Sequence, residues 1–179
     1  PASLRNNLRQ ARELLAQAGW TYRDGALRNA QGTPLQFEVL LHLRGHERVI
    51  APLARNLAKL GVQADMRTID TSLFRKRTDE FDFDMIVNWY LSTQSPGNEL
   101  GFRFTSQAAD EQGSDNFPGV KNRVVDALVA RILAVDTRAE LVTACRALDR
   151  VLRAGYYAIP EFYNSVHRVA YRDRFGRPP

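Results

Sequence analysis

Between Leu35 and Tyr90 the sequence changes hydrophobic period repeatedly, and this alternation constrains the fold more than any other feature. "LQFEVLLHL", Leu35 to Leu43, reads as a strand. After Arg44, Gly45 and His46 comes an apolar stripe at helical spacing, Ile50, Leu53, Ala54, Leu57 and Leu60, closed by Gly61. Pro52 falls near its first turns, where proline is tolerated or kinks the helix. "VQADMRTI" reads as a second strand, and Asp70 caps a short helix running through Arg77. From Phe81 to Tyr90 a strict alternation returns, with Phe81, Phe83, Met85, Val87 and Trp89 on one side. Strand, helix, strand, helix, strand with tight connections predicts parallel strands joined by right-handed crossovers. Phe83 to Tyr90 is expected as an inner strand of that sheet.

The flanks are more helical. Leu4, Leu8, Ala11, Leu15 and Ala18 recur at helical spacing behind Ser3 as N-cap, with Gly19 past the end. "RDGALRNAQGTP" carries turn signals at Asp24-Gly25 and Gln31-Gly32, and predicts a small hairpin. Val124, Val125, Leu128, Val129, Ile132 and Leu133 share one side of a later helix. Thr137 and Glu140 have capping-box spacing before a helix whose inward residues are Leu141, Cys145, Leu148, Val151 and Leu152. "YAIPEFYNSVHRVAY" reads as one or two strands, with Pro160 at a sheet edge or bulge. The fold class is therefore α/β, a mixed and largely parallel sheet flanked by helices.

At 179 residues the chain fits a single domain, residues 1–179, able to bury a core without staples. Its one cysteine, Cys145, cannot form an internal disulfide. The net charge of +5 raises nucleic acid as a partner, but the cations are scattered beside acidic residues. Arg75-Lys76-Arg77 is the single basic run and no aromatic interleaves it, so no nucleic-acid partner is expected. No stretch has the roughly 18 apolar residues of a membrane span. The first residues lack the apolar segment of a signal peptide, and a start at Pro1 looks processed or cut from something longer.

Catalytic motifs are missing: there is no dinucleotide fingerprint, no phosphate loop and no nucleophile elbow. His42 and His46 straddle a strand end and a loop, so no metal site and no cofactor is expected from them. Asp82 and Asp84 share one strand face and, with His46, form the only constellation a small hydrolase could use. Cys145 on an apolar stripe reads as a core residue. The chain is expected not to be an enzyme.

What remains is the polar loop after the alternating strand. In open parallel sheets, ligands settle outside the carboxyl ends of the strands. Trp89 and Tyr90 stand there, followed by Ser92, Thr93, Gln94, Ser95, Asn98 and Glu99, an aromatic body with short hydrogen-bonding groups. Periodicity allows two readings of Trp89: it lines a site, or it completes the core.

"FDFDMIVNWY" followed by "SPGNE" resembles the second lobe of family 5 extracellular solute-binding proteins, the peptide- and nickel-binding components of ABC importers. "ARELLAQAGW", "ERVIAPLARNLAKLGVQADMRTID", "GVKNRVVDALVARI", "RALDRVLRAGYYAIPEFY" and "RVAYRDRFGRP" follow the same order as in that family. "NWY…SPGNE" and "IPEFY" are most similar to its YejA-like branch. The resemblance implies a periplasmic protein of two lobes closing on a solute, of which this chain would be the C-terminal lobe, lacking the first. It implies non-catalytic capture of a peptide or peptide-like solute for delivery to an ABC permease. The implied ligand-binding residues are Trp89, Tyr90, Ser92, Ser95, Asn98 and Glu99. In many peptide-binding relatives an Asp three residues after the strand Trp pairs with the ligand's amino terminus. Here that position is Ser92, so Glu99 or backbone hydrogen bonding must take its place.

Overall fold

A computed structural model describes residues 3–90, 95–161, 165, 166 and 170. Helix α1, Leu4–Gln17, is capped by the Ser3 hydroxyl, which accepts from the Asn6 N–H. A hairpin follows, β1 (Thr21–Arg23) antiparallel to β2 (Ala26–Arg28). Strand β3 spans Gln36–Leu41, helix α2 Arg44–Ala58, strand β4 Gln63–Thr68, and helix α3 Thr71–Asp79. Strand β5 is Met85–Ile86. Helices α4 (Glu99–Phe104), α5 (Arg123–Leu133) and α6 (Arg138–Ala154) complete the described elements, with a short 3-10 turn at Ala108–Asp110.

Three strands form one parallel sheet in the order β4-β3-β5. The expected parallel pairing is present, but the inner strand is β3. The Phe83–Tyr90 segment pairs over two residues only, Met85 opposite Val39 and Ile86 opposite Leu40, and is an edge among the described residues. Its late start has a local reason: Phe81 has φ +55, a left-handed turn that no strand continues. The paired strand is thus shorter than the apolar alternation. Helix α2 begins earlier than expected, taking Arg44, Gly45 and His46 into its first turn. Helix α4 starts at Glu99, within the segment expected as polar loop. Val124 and Leu133, expected on the inward stripe of α5, are 55% and 47% exposed, because the buried arc is narrower: Val125, Val129 and Ile132. Tyr157 to Glu161, expected as strand, carry none, and most of the rest of that segment lies outside the described residues.

Two packed centres hold the sheet side. Val39, Leu41 and Ile50 meet Phe37, Ala64, Met85 and Val87. Leu27, Leu60 and Val62 bury the hairpin against α1 through Leu8, Ala11, Leu15 and Trp20. A third centre joins α5 and α6 through Val120, Val125, Val129, Ile132, Ala144 and Leu148, with Cys145 packed against it. Asn116 is fully buried beside it and satisfied: its side chain donates to the Thr105 and Val120 carbonyls and accepts the Val120 N–H.

The amino end of the sheet is tied by charge. Arg77 donates to Glu38 at 2.9 Å and to the Asp82 carboxylate at 2.8 Å, and Asp84 accepts the Glu38 N–H at 2.8 Å. This pins the turn before β5 onto α3 and β3, and so fixes where the chain leaves the sheet at its other end.

Candidate binding wall at the carboxyl end of the sheet

Because β3 and β5 run parallel, His42 and Trp89 leave the sheet at the same end. Helix α2 then returns His46 to that end within its first turn. The Trp89 ring centre lies 5.9 Å from that of His46 and 6.5 Å from that of His42, and His42 rests on Phe74 of α3 at 4.3 Å. Trp89 is nevertheless 55% exposed. It is in phase with Met85 and Val87 but lies past the end of the pairing, so the reading in which it completes the core does not hold.

Tyr90 turns the other way. Its ring lies 5.8 Å from Phe104, with the Arg103 guanidinium 5.8 Å above its centre, within cation–π range. Desolvation raises the phenol above its usual pKa, against the pull of Arg103. Ser95 and Asn98 line a separate groove of about 460 Å3 against the α5–α6 connection, facing Asp136, Thr137 and Arg138. Glu99, the first residue of α4, turns back on the segment before it: both carboxylate oxygens accept from the Gly97 N–H at 3.1 Å. Ser92 lies outside the described residues. The structure therefore places Trp89, Tyr90, Ser95, Asn98 and Glu99 in separate neighbourhoods, without drawing them to a single point.

The hydrolase constellation is not assembled. Asp82 and Asp84 are engaged at the amino end of the sheet by Arg77 and the Glu38 N–H. His46 stands at the carboxyl end. Glu38 to His42 alone is four residues of extended chain, about 13 Å. The basic run is likewise occupied, Arg75 by Asp79 and Arg77 by Glu38 and Asp82. Among the described residues no group of three or more His, Cys, Asp or Glu could hold a metal ion, and no helix is long and apolar enough to cross a membrane.

What the periodicity did not reveal is the histidine pair. The ring centres of His42 and His46 are 5.8 Å apart, edge to face, and the Nδ1 atom of each is buried with no hydrogen-bond partner. Burial, and then the neighbouring His46, lower the His42 pKa from its ordinary 6.5. The signal was present: a residue just past a parallel strand and one in the next helix's first turn share an end.

Comparison with known proteins agrees with this architecture. Residues 1–111 match the family described as bacterial extracellular solute-binding proteins, family 5 Middle. The probable peptide-binding protein YejA of Agrobacterium fabrum is 44% identical over 179 residues, covering 99% of this chain and 29% of that protein. The peptidoglycan-binding protein YepA of the same organism is 34% identical over 174 residues, 97% of this chain and 28% of its own. The chain thus spans under a third of the length of these relatives. Among solved structures, an oligopeptide-binding protein of Thermus thermophilus complexed with a pentapeptide superposes with a TM-score of 0.72 at 18% identity, over 85% of this chain and 29% of that one. The oligopeptide-binding protein AppA of Bacillus subtilis, in complex with a nonapeptide, gives 0.69 at 22% identity, over 80% and 29%. At those identities the structural likeness speaks to fold, and the sequence matches speak to kinship. The chain belongs to the family 5 bacterial extracellular solute-binding proteins.

Proposed function

We propose that residues 1–179 form one lobe of a two-lobed solute-binding protein that captures a peptide or peptide-like solute between its lobes. The lobe is not catalytic, and it works outside the cytoplasm, in the periplasm or at the cell surface. Capture there would serve delivery to the permease of an ABC transporter. The observation that carries this reading is the exposed indole of Trp89 at the carboxyl end of a parallel sheet, where such sheets bind ligands. An amphipathic ring held at its edge by other rings offers a solute a broad apolar contact with little ordering cost. Tyr90, Ser92, Ser95, Asn98 and Glu99 are the further residues we assign to the solute, Tyr90 as a second aromatic contact and the others as polar ones. Relatives whose printed names are peptide-binding support the solute class. The first lobe of the same protein would be the opposite wall.

Calorimetry tests the reading. The full-length protein is expected to bind peptides, and the 179-residue chain alone to bind them negligibly, since half of the contact area is lacking. Micromolar or tighter binding by the chain alone contradicts the half-site.

A further inference from the structure

Helix α1 carries a charge pattern that the solute wall does not use. Arg5, Arg9 and Arg12 recur at helical spacing on one side of it, and Lys59, just past the end of α2, lies beside them. With Leu4 and Leu8 they line an open groove of about 480 Å3 whose lining is chiefly apolar. Arg12 donates to the Lys59 carbonyl at 3.3 Å and ties the two helices together across it, and Lys59 donates to Asn56. Among the described residues none of these cations has a carboxylate partner. Glu13, the only acid on α1, does not line the groove. Glu47, the only acid on α2, sits in that helix's first turn and accepts from the Thr68 hydroxyl. Like charges three and four residues apart on a helix repel, and here the fold supplies nothing to offset it. Leu4, between the cations and solvent, remains 51% exposed.

We propose that this basic face with an apolar floor is a docking surface for an anionic phospholipid bilayer. The match is one of charge and of layering. Leucine side chains lie among cations carried on long apolar stems, so that methylenes and charges are offered at two depths. A bilayer interface presents acyl chains and phosphates in the same order. Arg5 to Arg12 spans about 11 Å of helix, and with Lys59 alongside it exerts a non-directional attraction on a negative surface. No aromatic ring lines the groove for a nucleobase to stack on, so the pattern does not favour nucleic acid. None of the residues assigned to the solute takes part. Adsorption of this kind concentrates the protein at a membrane and still lets it exchange, which a spanning helix does not.

The experiment uses the full-length protein and co-sedimentation with vesicles of phosphatidylcholine alone or mixed equally with phosphatidylglycerol. Binding is expected to the mixed vesicles only, and is lost as salt rises from about 0.05 to 0.5 M. Arg5→Gln/Arg9→Gln/Lys59→Gln, which leaves the Arg12 bridge in place, is expected to weaken it about a hundredfold, roughly fivefold per charge. Lys76→Gln/Arg123→Gln/Arg146→Gln removes as much charge from the exposed faces of α3, α5 and α6, and is expected to bind as the unaltered protein does. Peptide affinity, read separately by calorimetry, should be the same in both variants. Equal losses of vesicle binding in the two variants reduce the effect to net charge and overturn the docking surface. Equal binding to both lipids, or to neither, overturns it as well. Should a polyglutamate peptide bind with the same dependence on Arg5 and Arg9 while the mixed vesicles do not, the occupant is an acidic segment and the lipid surface is refuted.

Discussion

Trp89 lies edge-on to His46 with ring centres 5.9 Å apart, yet more than half of the indole is open to solvent. The ring is braced from the sheet side and uncovered on the other. Replacing it therefore separates binding from folding. Trp89→Ala in the full-length protein is expected to weaken peptide binding by tenfold or more while lowering stability by less than about 1 kcal/mol. A loss of about 3–5 kcal/mol in denaturant titration, the range for a core aromatic, would return Trp89 to the core.

The hairpin offers a control far from the wall. Gly61 has φ +84, and an added Cβ would lie 2.6 Å from the Tyr22 ring and 2.8 Å from the Leu27 nitrogen, which itself donates to the Gly61 carbonyl at 2.8 Å. Gly61→Ala is expected to cost about 2 kcal/mol or more, through strain at positive φ and the displaced ring. Urea unfolding of the 179-residue chain measures it. Peptide affinity of the folded fraction of the full-length protein should be unchanged.

The His42 shift has a sign that stability measurements can read. Its pKa is lowered in the folded chain, chiefly by burial and then by His46. As pH falls below about 6.5, the unfolded chain takes up a proton that the folded chain does not. Stability is therefore expected to fall as pH drops through that region, levelling only below the lowered folded value. In His42→Gln this part of the pH profile should flatten. An unchanged slope between about pH 7 and pH 5 contradicts it.

Glu99 tests recognition of the amino terminus. Its carboxylate accepts from the Gly97 N–H, yet an ionised carboxylate has further lone pairs for a ligand ammonium. Glu99→Gln is expected to lower the affinity for free-amine peptides several-fold relative to their N-acetylated forms. Equal affinities for the two forms in both proteins remove Glu99 from that role.

How far the sequence could be read differed by element, for physical reasons. Capping residues sit next to what they cap, so Ser3, Asp70 and Thr137 marked helix starts correctly. The parallel crossovers followed from periodicity because burial on one face leaves a local trace. The start of β5 did not, since the left-handed turn at Phe81 keeps the apolar alternation in the sequence while delaying the pairing to Met85. Trp89 was ambiguous for the same reason: phase says which way a side chain points, not whether anything lies beyond it. The roles of Asp82 and Asp84 depend on Arg77 and Glu38, contacts across the fold that spacing within one strand cannot express. The histidine pair leaves no local trace, because His42 and His46 meet only where helix α2 starts directly behind the strand, at Arg44.

The measurement closest to the central claim is the fluorescence of Trp89 itself. The chain has two tryptophans, and Trp20 packs with α1 and the hairpin, so Trp20→Phe in a full-length protein with its other tryptophans similarly replaced isolates the wall. Adding a peptide that calorimetry shows to bind should shift the Trp89 emission to shorter wavelength and protect it from aqueous quenchers, as the solute covers the open face. Tight binding that leaves both emission and quenching unaltered would contradict the claim that this ring is where the solute rests.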